Sequence, residues 1–188
     1  NRSMKNYTVE QSAFAHFFTA NTASAPLWFA VRLYLGYEWL MAGWDKVLNP
    51  MWFGTGAGAA LQGFINGAIG KTVCATTVSA CHPDVQMWYA SFLQSAVLPH
   101  VTAWSNAVAV GEVLVGLGLI VGLFTGIAAF FGFFLNLNFL LAGTVSVNPI
   151  LLVLALPLML AHRVTGYWGL DRYARPFLRR KFSPRRTF

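Results

Sequence analysis

Residues 101–143 read VTAWSNAVAVGEVLVGLGLIVGLFTGIAAFFGFFLNLNFLLAG and carry a single charge, Glu112. Two apolar runs meet at Gly122 to Gly126. The hydrocarbon core of a bilayer is about 30 Å thick and a helix rises about 1.5 Å per residue, so about twenty apolar residues suffice to cross it. The stretch therefore predicts two spans, 101–123 and 125–143. So short a connection between them makes a tight turn and antiparallel neighbours.

Working outward, residues 25–48 form a third candidate span, entered through Pro26 and stopped by Asn49-Pro50. A fourth, 148–163, opens on Asn148-Pro149 and runs through Pro157, where a kink is expected. The fold class expected is all-α, an integral membrane four-helix bundle. Composition agrees: of 188 residues 56% are hydrophobic and 10% charged, against roughly 25% charged in soluble domains. A soluble globule of this length could not hide so much apolar surface. Disordered chains, coiled coils, disulfide-rich secreted domains and nucleic-acid binders are excluded on the same ground.

The net charge of +7 belongs to a tail, because eight of the thirteen Lys and Arg lie from Arg163 onward. Positive flanks stay cytoplasmic, so the 164–188 tail and, with four spans, the 1–24 segment are expected inside a bacterial or archaeal plasma membrane. The 49–100 connection is then an extracytoplasmic loop, whose one basic residue is Lys71. Within it Val85, Trp88, Tyr89, Phe92 and Leu93 recur at helical spacing, predicting an interfacial helix over 84–98. Near the N-terminus Ala13, Phe14, Phe17 and Phe18 make an apolar patch that suits either a surface helix or disorder. No charged segment with a short apolar run and cleavage site precedes the first span, so no removable signal peptide is expected.

Cys74 and Cys81 share the outer loop, where an oxidising compartment permits a disulfide that staples it. A redox-active pair is the sharper alternative, but the spacing is not C-x-x-C. Four histidines and two cysteines fit no zinc pattern, so no metal site is expected. His16 precedes the first span, His82 is in the loop, and His100 and His162 sit at opposite membrane edges, so no facing pair for a haem between helices is expected.

Ionisable groups inside a span are costly unless paired, which makes each a functional candidate. The first span holds Arg32 and Glu38, with Asp45 and Lys46 at its outer end; the second holds Glu112. Counted from the outer ends, Glu38 and Glu112 fall at one depth near mid-membrane. Two close carboxylates tend to share a proton, which suits protonating a quinone or carrying protons. The expected catalytic groups are thus Glu38, Glu112 and Arg32. Trp39, Trp44, Lys46, Asn136 and Asn138 are the expected quinone-binding groups around a polar chamber, with Lys46 and Arg32 attracting an anion. Gly111, Gly116 and Gly118 read as close-packing positions. Interhelical adhesion is the plainer reading of the same charges.

Four motifs, RLYLGYEWLMAGWDKVLNP (32–50), GEVLVGLGLIVGLFTG (111–126), NLNFLLAGTVSVNP (136–149) and AHRVTGYWGLDRY (161–173), occur in order. Together they resemble the DoxX-like integral membrane family, and within it the DoxD branch. The matching positions are Arg32, Gly36, Gly43, Lys46, Glu112, Asn138, Gly143, Gly169 and Asp171. The resemblance implies a membrane subunit of a thiosulfate:quinone oxidoreductase, moving electrons from thiosulfate to quinone and forming tetrathionate. It implies quinone as substrate or bound ligand. No haem, flavin or iron–sulfur site is evident, so another membrane or extracytoplasmic protein subunit is the expected electron source. A non-catalytic accessory subunit of a larger respiratory or photosynthetic complex is the rival reading. No nucleic-acid partner is expected.

Overall fold

A computed structural model describes residues 12–73 and 82–182. They are all helical, with no strand among them: α1 (Ala13–Ala20), α2 (Ala25–Leu48), α3 (Ala59–Gly70), α4 (Met87–Phe92), α5 (Val101–Val121), α6 (Thr125–Leu141), α7 (Asn148–Leu160), α8 (His162–Thr165) and α9 (Asp171–Phe182). One helical run, Met87–Val121, is long and apolar enough to cross a membrane, while Thr125–Leu141 and Asn148–Leu160 are shorter apolar helices. Cys74 and Cys81 lie outside the described residues.

Small residues set the central packing. α2 and α5 cross in contact, and a Cβ on Gly116 would sit 2.5 Å from the Leu40 nitrogen. A Cβ on Gly36 would meet Ile120 Cγ1 at 2.7 Å, and one on Gly43 would meet Val113 N at 2.6 Å. Only glycine admits such approach, a recurrent device where apolar helices pack on one another. α6 packs on α5 and α7, closing a core of Trp28, Leu35, Trp39, Leu119, Leu151 and Leu158.

The turn between α5 and α6 is held from a distance in sequence. Gly122 (φ 69°) and Phe124 (φ 52°) are both left-handed, costly for a bulky residue. The Asp171 carboxylate offsets this by accepting from Phe124 N at 2.7 Å and Thr125 N at 3.0 Å, while Arg175 donates to it at 3.0 Å. It thereby serves as a cap on α6 supplied by another element.

At the opposite end, the described residues 49–73 and 82–100 are more structured than a loop with one surface helix. Leu61, Ile65 and Ala68 of α3, a helix not foreseen in the sequence, bury against Val85, Tyr89, Leu93 and Val97. Of the apolar face expected to lie on lipid, Val85, Tyr89 and Leu93 are turned onto protein, while Trp88 and Phe92 remain exposed. Lys71 Nζ donates to Gly143 O at 2.7 Å, capping the end of α6. Ser105 Oγ donates to Trp52 O at 2.6 Å and ties this cap to α5. The N-terminal patch forms a helix: Ser12 caps α1, and Phe18 packs on Trp28, whose Nε1 donates to Phe18 O. α7 continues through Pro157 to Leu160.

Candidate functional site

The glycine crossing fixes which α2 side chains meet α5. Gly43 abuts Glu112 and Val113, while Gly36 abuts Gly116 and Ile120. Continuing that register puts Glu38 level with about residue 117, roughly 8 Å along the axis from Glu112. At about 100° per residue Glu38 also lies some 150° round from the Gly36–Gly43 line. It is half-buried and makes no ion pair or hydrogen bond to a described residue. The expected carboxylate pair is therefore not formed. Counting from helix ends misses the offset that close glycine packing imposes.

Glu112 is instead paired with Lys46, Nζ to Oε2 2.7 Å, the acid 1% and the lysine 19% exposed. Lys46 Nζ also lies 5.2 Å from the Trp52 ring centroid and 5.9 Å from that of Phe139, an aromatic flank favourable to a cation. The second carboxylate oxygen, Oε1, is buried without a partner.

Trp39 and Asn136 belong to the same layer. A Cβ on Gly132 would sit 3.0 Å from Trp39 Nε1 and 3.1 Å from Val115 Cγ1. Asn136 follows Gly132 by one helical turn on the same face, and Phe139, beside Lys46, follows it by three residues. Asn136 is fully buried with both Oδ1 and Nδ2 unpartnered, and Trp39 Nε1 is likewise unpartnered. Glu112 Oε1, Asn136 Oδ1 and Nδ2, and Trp39 Nε1 are thus four buried unpartnered atoms on neighbouring turns of α5, α6 and α2. Each such group costs about 1–3 kcal/mol, and the same condition holds at Arg32 Nε and Nη1, Asn106 Oδ1 and Thr125 Oγ1. The layer offers donors from Trp39 and Asn136, acceptors from Asn136 and Glu112, and a fixed cation.

Other expected members lie elsewhere. Arg32 is fully buried, but its guanidinium turns to the opposite end, where Nη2 donates to Trp168 O at 2.9 Å. Gly122 and Gly169 make its cradle, since a Cβ on either would overlap Nη1, and the Phe29 ring centroid lies 5.3 Å away. Trp44 is exposed on the outer side of α2. Asn138 accepts from the Tyr89 hydroxyl at 3.0 Å and donates to Phe134 O at 2.7 Å, so it belongs to the cap. Trp168 and the Asp171 clamp were not singled out as site residues; the Gly-Leu-Asp at the start of α9 was the available signal.

A separate open groove of about 670 Å³ runs between α5 and α6, lined almost wholly by apolar side chains that include Leu114, Ile127, Phe131 and Phe134. Comparison with protein-family models, with curated proteins and with solved structures finds no match to this chain.

Proposed function

We propose that the chain is a DoxX-like four-span membrane subunit whose Lys46–Glu112–Asn136–Trp39 layer binds a quinone head group, within a thiosulfate:quinone oxidoreductase-like electron-transfer system. The bilayer placement is supported by the outward faces of α5, α6 and α7. Their exposed side chains include Val110, Leu114, Ile127, Phe131, Ile150 and Val153, which water would disfavour and lipid accepts. α2 is 24 residues long, about 36 Å, which exceeds the hydrocarbon thickness. The basic 164–188 tail argues for cytoplasmic termini.

The observation that carries the ligand reading is the set of four unpartnered polar atoms on neighbouring turns of α5, α6 and α2, one of them in the ion pair. A quinone head is a flat apolar ring with two carbonyl acceptors, and its two-electron, two-proton reduction is the chemistry it supplies when bound. Trp39 Nε1, Asn136 Nδ2 and the Lys46 ammonium are donors suited to those acceptors. Glu112 Oε1 is placed to hold or pass a proton. Electrons would come from a partner subunit, for which the cap formed by α3 and α4 is an accessible face.

The test is thiosulfate-dependent quinone reduction in native membranes. Glu112→Gln and Asn136→Leu are expected to abolish it while the chain still inserts, and unchanged rates in both would remove the assignment. A non-catalytic accessory role is the second reading. It is favoured by Arg32 turning to the Trp168 carbonyl and by Glu38 turning away, which leave two of the three expected catalytic groups outside the layer. Native purification as a stable assembly lacking any thiosulfate activity would select it.

A further inference from the structure

The outward side of α2 differs in kind from the outward sides of its neighbours. Leu27, Tyr34, Tyr37, Met41, Trp44 and Leu48 are exposed at alternating spacings of three and four or seven, the seam that a neighbouring helix packs into by knobs-into-holes geometry. α5 has a comparable outward seam at Val110, Leu114, Leu117 and Val121, but every side chain in it is aliphatic. On α2 the seam carries two phenol hydroxyls, and Glu38 lies one turn from Tyr34 and Met41 on the same face, with Tyr37 next to it in sequence.

Glu38 is the fourteenth of the 24 residues of α2, near the middle of a helix about 36 Å long. Among the described residues it has no ion pair, and neither Tyr34 nor Tyr37 hydroxyl has a hydrogen-bond partner. In the four-span reading, on which this inference rests, the three groups would face lipid near the bilayer centre. An unpaired carboxylate is least tolerable there, and such groups pair with a partner or face a wet cavity.

We infer that this face is the docking surface for a transmembrane helix of another protein, one that carries a lysine or arginine near mid-membrane opposite Glu38. Charge decides the occupant. A second copy of this chain would bring another Glu38. It would bring no spare cation at that depth, because the Arg32 guanidinium is turned to the far end beside the Trp168 carbonyl and Lys46 is paired with Glu112. A lipid tail would leave the carboxylate and both hydroxyls unmet. A basic helix answers all three: its cation meets Glu38, and its side chains interleave with Tyr34, Tyr37, Met41 and Trp44.

The test uses the full-length chain, donor-labelled and reconstituted in liposomes. The probe is an acceptor-labelled Leu/Ala helix of spanning length with one central lysine, compared with the same helix bearing leucine there. Energy transfer is expected to report at least tenfold tighter association of the lysine helix. Glu38→Gln should abolish that preference, and Tyr37→Phe should weaken it severalfold. Equal association of the two probes, or a preference surviving Glu38→Gln, would overturn the proposal. So would Glu38-dependent pairing of two copies of the chain without any preference between probes. Alkaline carbonate extraction of the same liposomes separates the two levels: a chain released from them defeats the membrane reading, whereas a retained chain without lysine preference defeats only the partner.

Discussion

The Lys46–Glu112 ion pair is asymmetric: the carboxylate is sealed at 1% exposure and the ammonium reaches it from a position 19% exposed. Lys46 is thus the route by which the buried acid meets its surroundings, and removing it strands a charge. Lys46→Met is expected to destabilise the fold toward the lower end of the ~3–5 kcal/mol typical when one partner of a buried pair is lost, since the lysine end is partly exposed. Adding Glu112→Gln should restore much of that loss. A double-mutant cycle on detergent-induced unfolding checks it, and additive losses would mean the two residues are energetically independent.

Asn136 presents the opposite case. Both its polar atoms are buried and unpartnered, so they contribute desolvation cost without compensating bonds. Asn136→Leu is expected to stabilise the ligand-free chain by about 1–3 kcal/mol while removing quinone binding. A variant that melts earlier than the parent would show that the amide is part of the packing and not a ligand contact.

Close approach of α2 and α5 makes Gly116 intolerant and Gly111 tolerant. A Cβ at Gly116 would meet the Leu40 backbone, whereas nothing lies within 4 Å of one at Gly111. Gly116→Ala should cost about 1–3 kcal/mol through overpacking. Gly111→Ala should be neutral or stabilising by up to about 1 kcal/mol. Thermal unfolding of the two variants side by side reads the difference, and similar midpoints would contradict the register described for the crossing.

Asp171 caps α6 at Phe124 and Thr125. Asp171→Ala is expected to cost roughly 1–2 kcal/mol, as loss of a cap does, with faster amide exchange at those two positions and easier cleavage before α9. Exchange unchanged at both amides would show that the turn holds itself.

The helices were legible because long apolar runs bounded by Pro, Asn and Gly leave little freedom. Residues 25–48 and the turn at Gly122 follow from such punctuation, and α2 has the bounds Ala25–Leu48. α3 was missed because Gly63, Gly67 and Gly70 obscure the spacing of Leu61, Ile65 and Ala68. The site was harder, since pairing between helices depends on their offset and on which face each turns. Single residues do not encode that offset; Gly36, Gly43 and Gly116 do, jointly, by admitting one close crossing. The sequence therefore singles out Glu112 and Asn136 individually, but depth alone pairs Glu112 with Glu38, whereas its partner is Lys46. Arg32 was assigned to the same chamber because its length allows either direction, and the Trp168 carbonyl that decides the matter is 136 residues away.

The central claim is most directly tested by titrating the purified full-length chain in nanodiscs with short-chain ubiquinone and menaquinone analogues, followed by calorimetry. Saturable binding of one class is predicted, weakened at least tenfold by Glu112→Gln and by Asn136→Leu and left within twofold by Glu38→Gln. No binding by the parent chain, or equal affinity in all three variants, would contradict the account.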